Sequence, residues 1–157
     1  MPQLTVERWE ELYDRAFPQV YRALVAATFD RERALDGLHD AFEEGLRHPP
    51  ADDRNLEGWL YRVALRKTRR GLLRSLRETR MTERASDDPT AAVVHRLEVG
   101  RLLELLTERQ RAIVVAHYYL GLSQQEIAEA LGVRRGTVSA TVSQSLARMR
   151  ERGAEHA

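Results

Sequence analysis

The chain has 157 residues, 43% of them apolar and 31% charged, with a formal net charge of +1 and no cysteine. This is enough apolar material for one or two small cores, and it excludes a disulfide framework, a thiolate metal site and a cysteine nucleophile. No segment approaches the roughly 18 apolar residues of a membrane span, and the opening MPQLTVERWEELYDR has no apolar stretch of signal-peptide type, so a soluble, cytoplasmic chain without membrane contact is expected.

The charge is unevenly placed. Residues 1–61 carry 7 basic and 13 acidic side chains, residues 62–80 carry 8 and 1, and residues 81–157 carry 10 and 10. Such a basic block is either a solvated helix face or an electrostatic footprint for phosphate. Arginine outnumbers lysine 24 to 1, with Lys67 alone. That bias reads chiefly as the coding preference of a GC-rich genome, although arginine is also the better phosphate ligand.

In chain order, an apolar stripe at Trp9, Leu12, Tyr13, Ala16, Phe17, Val20, Tyr21, Leu24 and Val25 predicts a first helix over 6–28, and Pro18 predicts a kink or boundary within it. Asp30 can cap a second helix with Ala34, Leu35, Leu38, Ala41, Phe42 and Leu46 on its apolar face, ended by Pro49 and Pro50. After the polar loop HPPADDRN, Asn55 can cap a third helix bearing Leu56, Trp59, Leu60, Val63 and Ala64, which continues into RKTRRGLLRSLRETR. At 100° per residue Arg62, Arg66 and Arg69 share one narrow sector, with Arg70 beside them. Residues 79–90, polar and aperiodic, are the expected flexible linker between two small helical domains, 1–78 and 91–157. The fold class expected is therefore all-α.

Beyond the linker a helix over 91–106 is expected to bring Val94, Leu97, Leu102 and Leu105 or Leu106 onto a second core. Thr107 with Gln110, and Ser123 with Glu126, have the spacing of capping boxes, while Gly121 and Gly132 fall where helices stop. Ile127, Ala128 and Leu131 then line one short helix, and Val138, Val142, Leu146 and Met149 form the seam of a longer one. Two such helices joined at a glycine make a helix-turn-helix, whose second helix docks in the major groove of DNA. The same pattern also fits a plain three-helix packing unit.

No catalytic or metal site is expected, and no cofactor. The five histidines, His39, His48, His95, His117 and His156, have no metal-ligand spacing among themselves or with carboxylates, and no phosphate-cradling glycine loop occurs.

In this order the motifs DGLHDAF (36–42), NLEGWLYRVA (55–64), LTERQRAIVVAHYYLGLSQQEIAEALGV (106–133) and GTV (136–138) resemble the extracytoplasmic-function (group IV) sigma factors of bacterial RNA polymerase, over nearly the whole chain. The resemblance implies an RNA polymerase sigma factor directing promoter recognition and transcription initiation. Its implied partners are the polymerase core, promoter DNA and an anti-sigma factor; the chain would be a monomer when free or bind 1:1. Leu35, Asp36, His39, Asp40 and Glu43 would contact the core polymerase, carboxylates meeting a basic helix of the partner. Asn55, Trp59, Arg62, Arg66, Lys67, Arg69 and Arg70 would hold the melted strand of the −10 element, the loop from His48 to Asn55 taking a flipped base. Arg134, Arg135, Gly136, Thr137, Ser139, Ala140, Ser143, Gln144 and Arg148 would meet the −35 element: Gln144 pairs with an adenine edge, Ala140 meets a thymine methyl and the arginines hold phosphates, with Arg111 as a further phosphate ligand.

The chain departs from the family pattern in places. Serine or threonine is usual near Arg134, and basic side chains are usual where this chain reads SATVSQSL (139–146). His39 stands where glutamine is typical, and Arg66 and Arg70 stand near positions usually held by asparagine and aspartate. Fewer cations mean fewer phosphate contacts and a weaker salt dependence. The alternative reading is accordingly a sigma-like interaction protein that binds polymerase or a regulator without reading promoters, and a third is a regulator that dimerises on a palindromic site.

Overall fold

Capping side chains set most of the helix starts in the computed structural model, which describes residues 5–51, 54–78 and 98–155. Helix α1 spans Val6–Thr28, with the Thr5 hydroxyl accepting from the Arg8 amide. Helix α2 spans Arg31–Arg47, capped by Asp30, and α3 spans Leu56–Glu78, where the Asn55 side-chain oxygen accepts from the Gly58 amide at 3.0 Å. Glu98–Leu103 forms α4, Glu108–Tyr118 forms α5, Gln124–Leu131 forms α6 and Arg135–Glu155 forms α7. Both predicted capping boxes are closed in both directions, Thr107 with Gln110 and Ser123 with Glu126, so the backbone donors at these helix starts are satisfied locally. Among the described residues the fold is entirely α-helical, and no helix is long and apolar enough to cross a membrane.

Two boundaries differ from expectation. No boundary occurs at Pro18, and α1 runs through it. Pro18 and the preceding-turn residue Asp14, whose carbonyl loses its donor, are both exposed, so water can satisfy that group, while Ala16 and Val20 on the opposite side stay fully buried. The helix expected to reach Leu106 stops at Leu103, because the amides of Leu105 and Leu106 turn to carbonyls three residues back before Thr107 begins the next cap. Residues 79–97, which include the expected linker and the start of that helix, lie outside the described residues.

The first three helices pack through two close approaches. A Cβ at Gly37 would lie 2.5 Å from Thr68 Cγ2 and 2.9 Å from the Ala64 carbonyl oxygen, and one at Gly45 would collide with the Trp9 indole. Glycine at these points lets α2 lie directly on α3 and α1. Trp9 meets Phe42 and Trp59 edge-on at 6.2 and 6.4 Å, a favourable arrangement for aromatic quadrupoles.

The core does not end there. Trp9, Leu24, Leu38, Leu60 and Tyr61 belong to one continuous buried cluster with Ile113, Ala116, Leu122, Ile127, Val138 and Val142, so the two helix groups share a hydrophobic interior. A smaller cluster of Leu103, Leu106 and Val114 packs on Phe29 and Met149.

Three polar contacts lock this seam. Tyr61 is 1% exposed and its hydroxyl donates to the Ala112 carbonyl at 2.8 Å; burial pushes its ionisation well above the usual phenol range. Arg33 and Glu108 form a two-pronged pair, Nη2 to Oε1 at 2.7 Å and Nη1 to Oε2 at 3.5 Å. Arg111 donates to the carbonyls of Ala27 and Leu106 at 2.9 and 2.7 Å, with its guanidinium 4.0 Å from the centre of the Phe29 ring. Phe29 is the one described non-glycine residue in the left-handed region, at φ 53°. That conformation costs a bulky side chain about 1–3 kcal/mol, and the stacked Arg111 helps hold it.

Candidate nucleic-acid interface

Helix α7 turns one face in and one face out. Val138, Val142 and Ser145 are buried, and Leu146 and Met149 are half-buried. The inward seam thus runs 138–142–145–149, a spacing that brings Ser145 to the centre beside the expected Leu146. On the other side Arg134, Arg135, Gly136, Thr137, Ala140, Ser143, Gln144 and Arg148 are all exposed, with Ser139 half-buried at the margin. The turn entering this helix uses Gly132 at φ 66°, and the Val133 amide closes back onto the Ala128 carbonyl at 3.0 Å. A left-handed residue at this point favours glycine.

The α3 face is more mixed. Trp59 and Arg62 are half-buried and Arg66 is exposed, while the side chains of Arg69 and Arg70 lie outside the described residues. Lys67 is engaged by Glu44 at 2.8 Å; the hydrogen bond from Lys67 holds the Glu44 carboxyl below the usual range, against the opposing effect of burial. In this structure Lys67 is therefore turned to α2. Arg111 is likewise committed to backbone carbonyls and Phe29, and its positive charge is partly desolvated.

A cleft of about 680 Å³ opens beside the start of α3, with Pro50, Asn55, Trp59 and Arg62 on one side and Glu126 and Glu129 of α6 on the other. Its size lies within the range of ligand pockets. An apolar ring next to a guanidinium can stack a base and hold its phosphate, but the acidic α6 wall is unfavourable to a phosphate.

On α2, Asp36, His39, Asp40 and Glu43 are exposed along one face, with Leu35 half-buried. Leu38, placed on the apolar face of the same helix, is fully buried in the core. The His39 ring lies 6.0 Å from Phe17, and Glu43 pairs with Arg47 one turn on. Among the described residues no group of histidines and carboxylates could hold a metal ion.

Tyr61 and Leu65 were not singled out by helix periodicity. The available signal was width: Leu60, Tyr61, Val63, Ala64 and Leu65 cover more than one helix face, the pattern of a helix buried on two sides.

Residues 96–149 match the family model described as Sigma-70, region 4. The chain is 33% identical to the RNA polymerase sigma-E factor of Streptomyces avermitilis over 64% of its own length and 59% of that protein. It is 27% identical to the ECF RNA polymerase sigma factor SigL of Mycobacterium tuberculosis over 88% of its length and 85% of that protein. The chain is thus similar to extracytoplasmic-function sigma factors, with the region 4 match confined to its C-terminal third. It spans about three fifths of the Streptomyces relative, in contrast to most of the mycobacterial one. In fold, the chain is similar to the sigma factor RpoE of Bartonella quintana, solved in complex with the anti-sigma factor NepR, at a TM-score of 0.71 and 17% identity over 93% of this chain and 96% of that one. It is also similar to CnrH, solved with the cytosolic domain of CnrY, at a TM-score of 0.61 and 18% identity over 98% and 92% of the two chains.

Proposed function

We propose that this chain is a dissociable subunit of RNA polymerase that selects promoters and assists their melting, acts in the cytoplasm, and performs no catalysis itself. The observation that carries the reading is the outward face of α7, exposed from Arg134 to Arg148 in a segment matching sigma-70 region 4. Arg134, Arg135 and Arg148 would hold phosphates, and Thr137, Ala140, Ser143 and Gln144 would meet base edges of a −35 element. Gly136 allows close approach of the backbone, and Ser139 borders the contact.

At the other end, Leu35, Asp36, His39, Asp40 and Glu43 would meet a basic surface of the polymerase core. Asn55, Trp59, Arg62 and Arg66 would receive the melted −10 strand, joined by Lys67 once it leaves Glu44 and by Arg69 and Arg70. An anti-sigma factor is a further partner, since the two similar folds named above were solved with proteins of that kind or with a cytosolic partner domain. The sparse charge on α7 favours one competing reading, a sigma-like protein that binds polymerase without reading promoters.

Binding to purified core polymerase tests the first step. Wild-type chain is expected to form a 1:1 complex that assembles and migrates as holoenzyme. Asp36→Ala with Asp40→Ala is expected to weaken it at least about tenfold with unchanged helicity; unaltered binding would remove these residues from the contact.

A further inference from the structure

From the lining of the cleft beside α3 we infer a site for a free guanine mononucleotide, held by Asn55, Trp59 and Arg62 on one side and by Glu126 and Glu129 of α6 on the other. At about 680 Å³ the cleft has room for such a molecule. Opposite charges line it without meeting. Arg62 is half-buried and makes no ion pair among the described residues, although the two carboxylates stand on the facing wall. A partly desolvated guanidinium in this position favours an anionic group beside it.

The polar groups opposite are only half used. Glu126 Oε1 accepts from the Ser123 amide at 3.4 Å and Glu129 Oε1 from the Gln125 side chain at 2.9 Å, which leaves the second oxygen of each without a partner among the described residues. The Asn55 oxygen is taken by the Gly58 amide at 3.0 Å, so its amino group is left to donate. Trp59 rests edge-on against Trp9 at 6.4 Å and is half-buried; the core fixes the indole while its open part lines the cleft.

A ligand that satisfies all of these needs a flat ring, donors side by side on one edge, and an anion at the other end. Among the nucleobases only guanine sets two N–H donors next to each other on its pairing edge, N1–H and the 2-amino group, to match a carboxylate. Adenine and cytosine place an acceptor beside their amino group, which a carboxylate repels. Thymine and uracil hold a single N–H between two carbonyls. The guanine ring stacks on Trp59, Glu126 and Glu129 read its edge, Arg62 takes the phosphate, and Asn55 donates to a ribose or ring oxygen. The α6 wall that opposes a phosphate chain thus serves to recognise a base. For the same reason a mononucleotide suits the cleft better than a guanine within a strand, whose flanking phosphates would run along that wall.

Calorimetric titration of the full chain at low salt with guanosine 5′-monophosphate, adenosine 5′-monophosphate and guanosine tests the site. The guanine nucleotide is expected to bind at least about tenfold more tightly than either of the others. Glu126→Gln with Glu129→Gln keeps a capping-box side chain at 126 and is expected to erase the preference over the adenine nucleotide. Arg62→Gln is expected to erase the gain from the phosphate, so that nucleotide and guanosine bind alike while guanine is still preferred. Because the two variants fail at different ends of the ligand, unfolding cannot produce both results.

Equal binding of the guanine and adenine nucleotides by the wild type, or no heat of binding up to millimolar nucleotide, would overturn the guanine site. Tighter binding of a pentanucleotide with one guanosine among four thymidines would overturn the free nucleotide and give the cleft to a strand. The sigma-factor reading is tested on polymerase, so the two can fail separately.

Discussion

At the seam between the two helix groups Tyr61, Ile113 and Ile127 are almost wholly buried, whereas on the outward face of α7 Thr137, Ala140, Ser143 and Gln144 are open to solvent. The contrast separates what holds the molecule together from what it offers to a partner. Burying a side chain like Tyr61 removes some 150–250 Å² from water, so substitution there is felt by the whole fold. The α7 face contributes little to stability, so its residues are free to be chosen for recognition. The division also explains Arg111: although basic and in the helix-turn-helix unit, it belongs to the seam, where its hydrogen bonds and the Phe29 ring already occupy it.

The sharpest way to break this contrast is to truncate one residue from each side. Tyr61→Ala is expected to cost about 3–5 kcal/mol of stability, and Gln144→Ala to stay within about 0.5 kcal/mol, both read by urea unfolding. Comparable losses would mean that α7 is not a free face. Glycines offer a second pair: Gly45→Ala, driven into Trp9, should cost about 1–3 kcal/mol. Gly136→Ala meets nothing within 4 Å and should be neutral or stabilising by up to about 1 kcal/mol in a thermal melt.

The recognition side has its own test. If Gln144 pairs with an adenine, Gln144→Ala should relax preference at a single upstream position by about 1–3 kcal/mol, measured by selection from randomised duplexes. Unchanged selection would mean another face of α7 is read. The smallest effect concerns pH. The Glu44 carboxyl is lowered by its Lys67 hydrogen bond, so its contribution is present above the unfolded value of about 4.3 and is lost as pH falls below it. Both groups are about one-third exposed, which limits the effect to under about 1 kcal/mol; Lys67→Met should abolish that acid-side step in unfolding experiments.

Caps were the most legible features of the sequence. Thr107 with Gln110, Ser123 with Glu126, Asp30 and Asn55 each depend on neighbours three residues away, and local chemistry of this kind survives without tertiary information. The exposed set on α7 was legible for a related reason: once Val138 and Val142 are inward, the opposite side follows from helix geometry. Long-range contacts were not. Nothing within a few residues of Arg33 announces Glu108, or of Tyr61 announces Ala112, because these partners are 75 and 51 residues apart. Lys67 shows the same limit, since its basic neighbours suggested a phosphate while its position opposite α2 gives it to Glu44. Of the kink or boundary expected at Pro18, no boundary forms, because Ala16 and Val20 on the far side of the helix are buried and hold α1 through the proline.

Run-off transcription by purified core polymerase, with and without the chain, over a library of genomic fragments and with the products sequenced, tests the central claim most directly. The sigma-factor account predicts start sites only when the chain is present, sharing two upstream elements at fixed spacing, the farther one altered by Gln144→Ala. Core binding without any initiation would contradict it and assign the chain to the sigma-like proteins that occupy polymerase without reading a promoter.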